Sequence, residues 1–368
     1  MKKTRVIILF GGRSAEHEIS LLSARNVLSA LDRTRFEPVL VGIDKVGRWH
    51  RESERTLEAA AGDPRRVMLD AGAPAVLMEE ALVPRAAGAA PAGAVASDDV
   101  VFPVLHGTFG EDGTVQGAME LAGIAYVGAG VLGSAVGMDK DVAKRLLRDA
   151  GIPVVDFAVV GAAAFRRDPA AVLRALPDLG YPCYVKPANA GSSVGVSRVV
   201  GPGDLERAVR AGLAFDSKVL IERGIDAREI ECAVLGNDEP QASVPAEIVV
   251  HHKDGFYSYD AKYVDPEGAS FRIPADLSPA MIARVKELSI ATFRALELAG
   301  MARVDFFVTR DGGALYVNEV NTIPGFTAMS MYPKMWEASG LSPTDLITRL
   351  IDLAIERRDL RRSLKTSP

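Results

Sequence analysis

Two short runs near the C-terminal end, residues 303–307 and 315–321, constrain the fold more than any other part of the chain. Each run alternates apolar with polar residues, and the segment between them contains the turn-forming residues 310–313. This pattern predicts two antiparallel strands joined by a tight turn. Because side chains alternate along a strand, the polar residues of each run share one face.

The polar face of this hairpin contains groups suited to a divalent cation. Arg303 and Asp305 share a face on the first strand, and Glu319 and Asn321 share a face on the second. Two carboxylates and an amide can therefore converge, and hard oxygen donors of this kind suit Mg²⁺, which often completes its ligand shell with substrate phosphates. The alternative is a charged face that is merely solvated.

Length and composition restrict the class of protein. A chain of 368 residues predicts two or three domains, and 48% hydrophobic with 25% charged residues is ordinary for a soluble protein. No apolar run reaches membrane-spanning length and no signal-peptide pattern is present, so a cytoplasmic location is predicted. The net charge of −5 argues against nucleic acid, and the basic stretch 357–362 is interpreted as a solvated helix end.

Strand and helix patterns predict an α/β protein. A strand at 5–10, a glycine turn and a helix at 14–31 open the chain, and the strand at 100–105 contains Pro103, which predicts an edge or terminal position. Residues 53–99 are rich in alanine, glycine and proline and are expected to form surface connections. Cys183 and Cys232 are too few for a structural zinc site and are expected to be buried.

The middle and the end of the chain contain further helix signals. A helix is predicted at 139–150 and another beginning at Asp204, with strands near Phe157 and Tyr184 between them. Two Ser-Pro pairs, at 278–279 and 342–343, each predict the start of a long helix.

Two glycine-rich segments are candidates for phosphate binding. Residues 128–133 have the spacing of a dinucleotide-binding turn, but they lie between two domains, which favours a structural crossover. The second candidate, 186–196, follows a strand and combines Lys186 with small residues whose backbone N–H groups can cover a triphosphate, with a plain β-turn as the alternative. Lys140 and Lys144 share a helical face nearby, with solvated lysines as the alternative.

Residues 220–225 follow in the same region and can offer backbone groups to a flat heterocycle. Glu229 can then accept hydrogen bonds from ribose hydroxyls. An interdomain strand with a solvated glutamate is the alternative for this segment.

Six ordered motifs together resemble the D-alanine–D-alanine ligase family of the ATP-grasp superfamily over nearly the whole chain. The motifs are 11–16 with 19–20, 106–113, 191–195, 262–263, 303–305 and 319–325. The resemblance implies an ATP-grasp fold preceded by a Rossmann-like N-terminal domain, with α+β central and C-terminal domains. The expected divisions are 1–128, 129–221 and 222–368.

The resemblance also implies a ligand set for ATP and its metal ions. Asp305, Glu319 and Asn321 are expected to bind two Mg²⁺, with Glu319 bridging them and Mn²⁺ able to substitute. The residues expected to bind ATP are Lys140, Lys186, Ser193, Glu222, Glu229 and Lys262, with the backbone of Arg223 and Ile225 against the adenine. Arginine at position 223 departs from the lysine that is frequent in relatives, so no role is assigned to its side chain.

The substrates implied by the resemblance are ATP and two D-alanine molecules. Glu16 is expected to pair with the ammonium of the first D-alanine, and Ser330 and Lys262 with the carboxylate of the second. Ser192 and Tyr263 are expected to join Glu16 in a network that closes the site, and Tyr263 favours an amine acceptor. His106 is expected in the first substrate pocket, with a structural hydrogen bond as its alternative.

The reaction implied is formation of D-alanyl-D-alanine through an acyl phosphate. Arg303 and the N–H of Gly325 are expected to stabilise the tetrahedral intermediate, and the lid is expected in the polar segment that begins at His251. The expected catalytic set is therefore Glu16, Ser192, Tyr263, Arg303, Gly325 and Ser330. A homodimer is expected, and neither nucleic acid nor membrane is expected as a partner.

Three alternatives remain open at this stage. D-lactate or D-serine could replace D-alanine as the acceptor, and Tyr263 argues only against D-lactate. An NAD-dependent oxidoreductase could use residues 128–133, although it would leave the hairpin carboxylates unexplained. A nucleotide-binding regulator would bind ATP without turnover.

Overall fold

The computed structural model of the chain describes residues 3–60, 63, 65, 67, 69, 73–74, 98–251 and 268–365. Within these residues, sixteen strands form three sheets, and eleven helices pack around them. Among the described helices, none is both long enough and apolar enough to span a lipid bilayer.

The first sheet is formed by the N-terminal part of the chain. Its strands are β1 (Thr4–Gly11), β2 (Phe36–Ile43), β3 (Trp49–Glu52), β4 (Ala73–Pro74), β5 (Val100–Val104) and β6 (Ala125–Tyr126). Their order is β4-β3-β2-β1-β5-β6, and β1 runs parallel to β2 and to β5. Along β1, Ile8 and Phe10 face one apolar cluster while Ile7 and Leu9 face another. The strand is continuously apolar because both of its faces are covered.

Three helices flank this sheet. They are α1 (His17–Ala30), α2 (Glu54–Ala60) and α3 (Thr114–Leu121). Leu21 of α1 and Leu57 of α2 pack on one face, and Met119 of α3 packs on the other. The α/β opening predicted from the sequence is therefore confirmed.

The second sheet is antiparallel and has four strands. They are β7 (Phe157–Gly161), β8 (Cys183–Pro187), β9 (Ser197–Val199) and β10 (Lys218–Arg223), in the order β7-β10-β8-β9. The helices of this region are α4 (Val131–Met138), α5 (Lys140–Asp149), α6 (Ala162–Arg167), α7 (Pro169–Arg174) and α8 (Pro202–Gly212). Phe165 of α6 and Val209 of α8 cover the apolar face of the sheet.

The third sheet contains the predicted hairpin. Its strands are β11 (Ala227–Gly236), β12 (Gln241–Ala242), β13 (Ala246–Val250), β14 (Ala269–Arg272), β15 (Gly300–Thr309) and β16 (Leu315–Asn321). The order is β14-β13-β11-β15-β16, with β12 paired to β11 and every pairing antiparallel. The helices are α9 (Pro279–Ala295), α10 (Met331–Ala338) and α11 (Pro343–Ser363).

The two faces of the third sheet have different surroundings. Leu288 of α9 packs on one face with Val304 of β15, and Tyr332 of α10 packs on the other with Met301. The second face becomes polar further along β15, where Arg303 and Asp305 follow Met301 at two-residue intervals. This change from apolar to polar creates the wall of the candidate site.

Several predicted elements match the structure and others differ. Ser278 and Ser342 cap α9 and α11 as predicted, and both cysteines are buried. The first helix begins at His17 rather than at Ser14, and the N-cap of α8 is Gly201, so Asp204 lies in the first turn instead.

Of the two positions predicted from Pro103, the edge position is wrong for β5, whereas Pro103 does lie close to the end of the strand. β5 lies between β1 and β6, with Pro103 opposite Leu9 of β1. However, β6 pairs only with Val100 and Val101, so Pro103 lies beyond the end of that ladder. Its missing N–H is tolerated there because none of the strands in the described part of the chain pairs with Pro103 on that side.

The basic end of α11 is solvated as predicted at residues 359–362, which are exposed, but Arg357 is partly buried and contacts the first sheet. Arg357 stacks its guanidinium 4.4 Å from the centre of the Tyr126 ring and donates a hydrogen bond of 2.9 Å to the Tyr126 carbonyl. It also donates to the carbonyl of Gly128, and Arg361 pairs with Glu120. The last helix therefore connects the third sheet to the first.

Replacing Tyr332 by Phe tests the core beneath the third sheet. The hydroxyl of Tyr332 is fully buried and donates to the Val234 carbonyl at 2.9 Å. Removing it takes one hydrogen bond from the buried Val234 carbonyl, so we expect the free energy of unfolding to fall by about 0.5–1.5 kcal/mol in urea denaturation. The control is Tyr181→Phe, at a residue that is 44% exposed. Equal stability of the two variants would contradict this assignment.

Candidate active site

Two cavities open at the polar end of the third sheet. The inter-sheet cavity, of about 150 Å³, lies between the second and third sheets. The large cavity, of about 630 Å³, lies between the third sheet and α1. Five residues line both cavities, namely Lys140, Ala190, Ser192, Glu231 and Glu319. Molecules bound in the two cavities can therefore meet at these residues.

Arg303 is held in a buried network of carboxylates on the hairpin. In the β15–β16 register, Arg303 lies opposite Asn321 and Asp305 lies opposite Glu319. The guanidinium donates two hydrogen bonds of 2.7 Å to Asp305, and its Nε is 3.2 Å from Oε2 of Glu231. Burial by itself lowers the pKa of Arg303, but Asp305 and Glu231 outweigh it and raise that pKa well above its usual value.

The donor set of the hairpin fits a hard divalent cation. Asp305 and Glu319 supply carboxylates, and Oδ1 of Asn321 is buried with no hydrogen-bond partner in the described part of the chain. Nζ of Lys140 lies 3.2 Å from Oε2 of Glu319. Among the described residues, no group of three His, Cys, Asp or Glu side chains is arranged so that it could hold a metal ion by itself. With two carboxylates and one amide, a cation here would need further oxygen ligands from water or from phosphate, as is usual for Mg²⁺.

Glu222 is buried between two lysines beside the inter-sheet cavity. Nζ of Lys186 donates to Oε2 of Glu222 at 2.7 Å, and Nζ of Lys144 lies 3.2 Å from Oε1. Burial by itself raises the pKa of Glu222, but the two ammonium groups outweigh it and hold that pKa below its usual value. Lys144 is 1% exposed, so the alternative of a solvated lysine is wrong.

The small-residue loop after β8 connects the second sheet to α1. Nζ of Lys140 donates to the Ala190 carbonyl at 2.9 Å, and Oγ of Ser192 donates to Oε1 of Glu16 at 2.5 Å. Ser192 and Ser193 have φ angles of 51° and 58°, in the left-handed region. The loop therefore reaches across both cavities and contacts the start of the first helix.

The segment that follows β5 is joined to the chain beyond β16. Nδ1 of His106 donates to the Ile323 carbonyl at 3.0 Å, and Glu111 accepts from the N–H groups of Gly107 at 2.7 Å and Ile323 at 3.0 Å. Burial, followed by the nearby charge of Glu16, raises the pKa of Glu111 to about 8. Burial also lowers the pKa of His106. His106 thus makes a structural hydrogen bond while lining the large cavity.

Gly325 and Ser330 lie side by side on the wall of the large cavity. Oγ of Ser330 accepts from the N–H of Thr327 at 2.9 Å. A Cβ on Gly325 would lie 2.7 Å from the same oxygen, which is closer than real side chains approach. Glycine at position 325 therefore allows the Ser330 hydroxyl to stand against the backbone.

The side chain of Arg223 points towards solvent. It is 59% exposed, and its guanidinium lies 3.8 Å from the carboxylate of Asp156. The N–H of Arg223 donates to the Asp156 carbonyl at 3.0 Å. Ile225 and Glu229 line the inter-sheet cavity with it. This geometry agrees with assigning no role to the Arg223 side chain.

The structure brings most of the predicted site residues to the two cavities. The residues that line one or both are Glu16, His106, Lys140, Lys186, Ser192, Ser193, Glu222, Arg223, Ile225, Glu229, Arg303, Asp305, Glu319, Asn321, Gly325 and Ser330. Lys262 and Tyr263 lie outside the described residues. Their roles stay predictions.

Three site residues were missed by the sequence analysis. Glu231 follows Glu229 by two positions on β11, so strand alternation could have placed it on the same face. Asn318 accepts a hydrogen bond from Lys186 at 3.2 Å, and Glu111 is buried between two backbone donors. Glu111 lies within the motif 106–113, but its contact with Ile323 and that of Asn318 with Lys186 join segments far apart in the chain, so no local pattern predicts them.

Two protein-family models match the chain. The model described as D-ala D-ala ligase N-terminus matches residues 5–129, and the model described as D-ala D-ala ligase C-terminus matches residues 146–352. Together they cover both the first sheet and the hairpin.

Curated and solved proteins agree with these family matches. The chain is 49% identical over 369 residues to D-alanine--D-alanine ligase A of Chromobacterium violaceum, with 100% of this chain and 99% of that protein covered. The D-alanine-D-alanine ligase structure from Coxiella burnetii gives a TM-score of 0.79 at 37% identity, covering 98% of this chain and 97% of that one. The VanG D-Ala:D-Ser ligase structure from Enterococcus faecalis gives 0.79 at 34%, covering 96% and 100%.

Replacing Glu111 by Gln tests the buried carboxyl group. Burial raises the pKa of Glu111 in the folded protein to about 8, whereas the usual pKa of an exposed glutamate is 4.5. As pH rises between these values, the unfolded state ionises first, so wild-type stability falls relative to Glu111→Gln by up to about 5 kcal/mol and then levels off. Denaturant unfolding from pH 4 to 9 measures the difference.

The control for this experiment is Glu247→Gln, which removes a different buried carboxylate, the partner of Arg228. Because this variant keeps Glu111, its free energy of unfolding should run parallel to that of wild type between about pH 4.5 and 8. If the unfolding free energies of wild type and Glu111→Gln ran parallel with pH, Glu111 would have the same pKa in the folded and unfolded states, which would contradict the prediction.

Proposed function

This chain belongs to the D-alanine–D-alanine ligase family, and from that membership we propose that it joins two D-alanine molecules to form D-alanyl-D-alanine, converting ATP to ADP and phosphate. The product serves peptidoglycan precursor synthesis. The observation that supports this reaction most directly is the meeting of the two cavities at Lys140, Ser192 and Glu319. Phosphoryl transfer from a nucleotide to a neighbouring substrate requires such a junction.

The chemistry requires ATP because a carboxylate is a poor acyl donor. Hydroxide would have to leave if an amine attacked the carboxylic acid directly. The carboxylate of the first D-alanine instead attacks the γ-phosphorus, and ADP leaves. The amine of the second D-alanine then adds to the acyl phosphate, and phosphate departs as the peptide bond forms.

Arg303 and Gly325 stabilise the charge that develops during amine addition. The acyl oxygen becomes negative in the tetrahedral intermediate, and a guanidinium and a backbone N–H are suitable donors. Both residues line the large cavity, and the carboxylates around Arg303 keep it cationic. Loss of one such donor typically costs about 3–4 kcal/mol of transition-state stabilisation.

The residues that would hold two Mg²⁺ ions, or Mn²⁺ in their place, are Asp305, Glu319 and Asn321. Such ions would supply positive charge to offset that of the nucleotide phosphates. The buried Oδ1 of Asn321 without a partner among the described residues supports this ligand set.

The nucleotide occupies the inter-sheet cavity. Lys140, Lys186 and Ser193 face the phosphates, while Glu222 and the backbone of Arg223 and Ile225 face the adenine. Glu229 faces the ribose, and Lys262 joins the nucleotide side.

The two D-alanine molecules occupy the large cavity. Glu16 binds the ammonium of the first, with His106 beside it, and Ser330 and Lys262 bind the carboxylate of the second. Ser192, which contacts Glu16 at 2.5 Å, closes the network with Tyr263. D-serine is the alternative acceptor, because one structural relative is a D-Ala:D-Ser ligase.

The remaining proposals concern the whole chain. We place the domain divisions at 1–128, 129–221 and 222–368, so that each domain contains one sheet except for the last two residues of β10, which fall in the third domain. The protein acts in the cytoplasm as a homodimer.

The deciding experiment is a phosphate-release assay with Mg²⁺ and ATP, with products identified by mass. The substrates are D-alanine, L-alanine, D-serine, and D-alanine mixed with D-lactate. We expect phosphate release and dipeptide formation with D-alanine. A mixed dipeptide or a depsipeptide would change the acceptor, and ATP binding without turnover on any substrate would contradict the ligase assignment.

Replacing Glu319 by Gln tests the metal ligands. The amide lacks the charge that holds a divalent cation, so we expect kcat to fall by about a hundredfold or more and half-maximal activity to need more Mg²⁺. Steady-state rates across a Mg²⁺ titration measure both effects. Glu247→Gln, on β13 and outside both cavities, is the control and should keep the wild-type Mg²⁺ dependence. An unchanged Mg²⁺ requirement in Glu319→Gln would remove Glu319 from the ligand set.

A further inference from the structure

Lys144 is a buried cation whose place beside the nucleotide cavity the proposed reaction leaves unexplained. It lies on α5 and is 1% exposed, between Ala143 and Leu147, two positions where the same helix contributes to the apolar core. It does not line either cavity. A lysine is rarely this deeply buried without a charged partner, because removing an ammonium group from water is costly.

The partner of Lys144 is Glu222. Nζ of Lys144 lies 3.2 Å from Oε1 of Glu222, while Oε2 of the same carboxylate accepts from Lys186 at 2.7 Å. Neither Nζ of Lys144 nor Oε1 of Glu222 has an aligned hydrogen-bond partner among the described residues. The contact is therefore an ion pair held by charge and by the packing of α5.

The cluster formed by Lys144, Lys186 and Glu222 contains two cations and one anion. Two ammonium groups share one carboxylate, so the cluster carries one net positive charge. Lys144 faces the protein interior, whereas Lys186 lines the inter-sheet cavity. Without Lys144, Glu222 and Lys186 would form a neutral one-to-one pair, and the charge of Lys186 would be committed to Glu222.

The other charges near Lys186 do not replace Lys144. Glu319 and Glu229 are two further negative charges near Lys186, and they favour the ammonium form of its side chain. Lys140 is paired with Glu319 at 3.2 Å. Lys144 is thus the cation that directly offsets Glu222 from the side opposite the cavity.

We propose that Lys144 is a positioning residue of the nucleotide site: as the fixed counter-ion of Glu222, it leaves the charge of Lys186 available to the nucleotide phosphates. This inference rests on the proposed use of ATP and names a residue that acts through Glu222 and Lys186 without touching the nucleotide. A purely structural lysine would affect folding without changing how the site distinguishes a charged nucleotide from a neutral nucleoside.

The test compares the dissociation constants of ATP and adenosine for wild type and Lys144→Met. Adenosine has no phosphates, so the ratio of the two constants reports the phosphate contribution alone. We expect Lys144→Met to weaken ATP binding by about tenfold or more and adenosine binding by less than about threefold. Calorimetry gives both constants, and the thermal unfolding midpoint without ligand reports folding.

The matched control is Lys218→Met. Lys218 lies on β10, the strand that carries Glu222, and pairs with Asp139 and Asp141 at the start of α5, at 2.8 and 2.9 Å. This variant also breaks an ion pair between β10 and the α5 region, but Lys218 does not line either cavity. We expect both dissociation constants to stay within about twofold of wild type.

The double variant Lys144→Met with Glu222→Gln tests whether Lys144 acts on Lys186 through Glu222. Removing the carboxylate as well releases Lys186, so the ratio of ATP to adenosine affinity should return towards that of Glu222→Gln alone. Any direct effect of Glu222 on the adenine alters both ligands and cancels in the ratio. If Lys144→Met does not fold, Lys144→Gln replaces it, and the same change in ratio is expected because glutamine is also neutral.

Three results would overturn the role of Lys144: equal weakening of ATP and adenosine, no weakening of either, or a ratio that the double variant does not restore. A wild-type protein that binds ATP but does not couple D-alanine would contradict the proposed reaction instead. The binding comparison would still decide the role of Lys144 in that case.

Discussion

The antiparallel register of β15 and β16 is the constraint on which the candidate site depends. It sets Arg303 opposite Asn321 and Asp305 opposite Glu319, so four polar side chains meet on one face. A slip of one residue would turn these side chains into the apolar cluster that contains Val304. Burying unpaired charges there would be prohibitive, and the apolar residues of both strands therefore hold the register that the site requires.

Charge pairing determines how such a polar site can lie so deep in the protein. Arg303 is matched by Asp305 and Glu231, and Glu222 is matched by Lys144 and Lys186. Burial opposes the ionisation of Arg303 and of Glu222, and their charged partners outweigh it. These two groups thus keep their charges before any ligand binds, which is the preorganisation that phosphoryl transfer needs.

The site is assembled by contacts between segments that lie far apart in the chain. Ser192 of the second sheet's loop donates to Glu16 at the start of α1, and Glu111 accepts from Ile323 beyond β16. Arg357 joins the last helix to the end of β6. Each contact joins different sheets, so the relative position of the cavities depends on all three sheets together.

The sequence by itself determined the local elements and most of the chemistry. Alternation predicted the hairpin and the common face of its carboxylates, and serine caps predicted the starts of α9 and α11, because these signals depend only on neighbouring residues. The residue patterns and the family resemblance together identified sixteen residues that line the two cavities. Only the tertiary structure decided that Lys144 is buried, that Glu111 bridges two segments and that Arg357 contacts the first sheet. Burial and long-range pairing depend on what packs against a residue, and no local pattern contains that information.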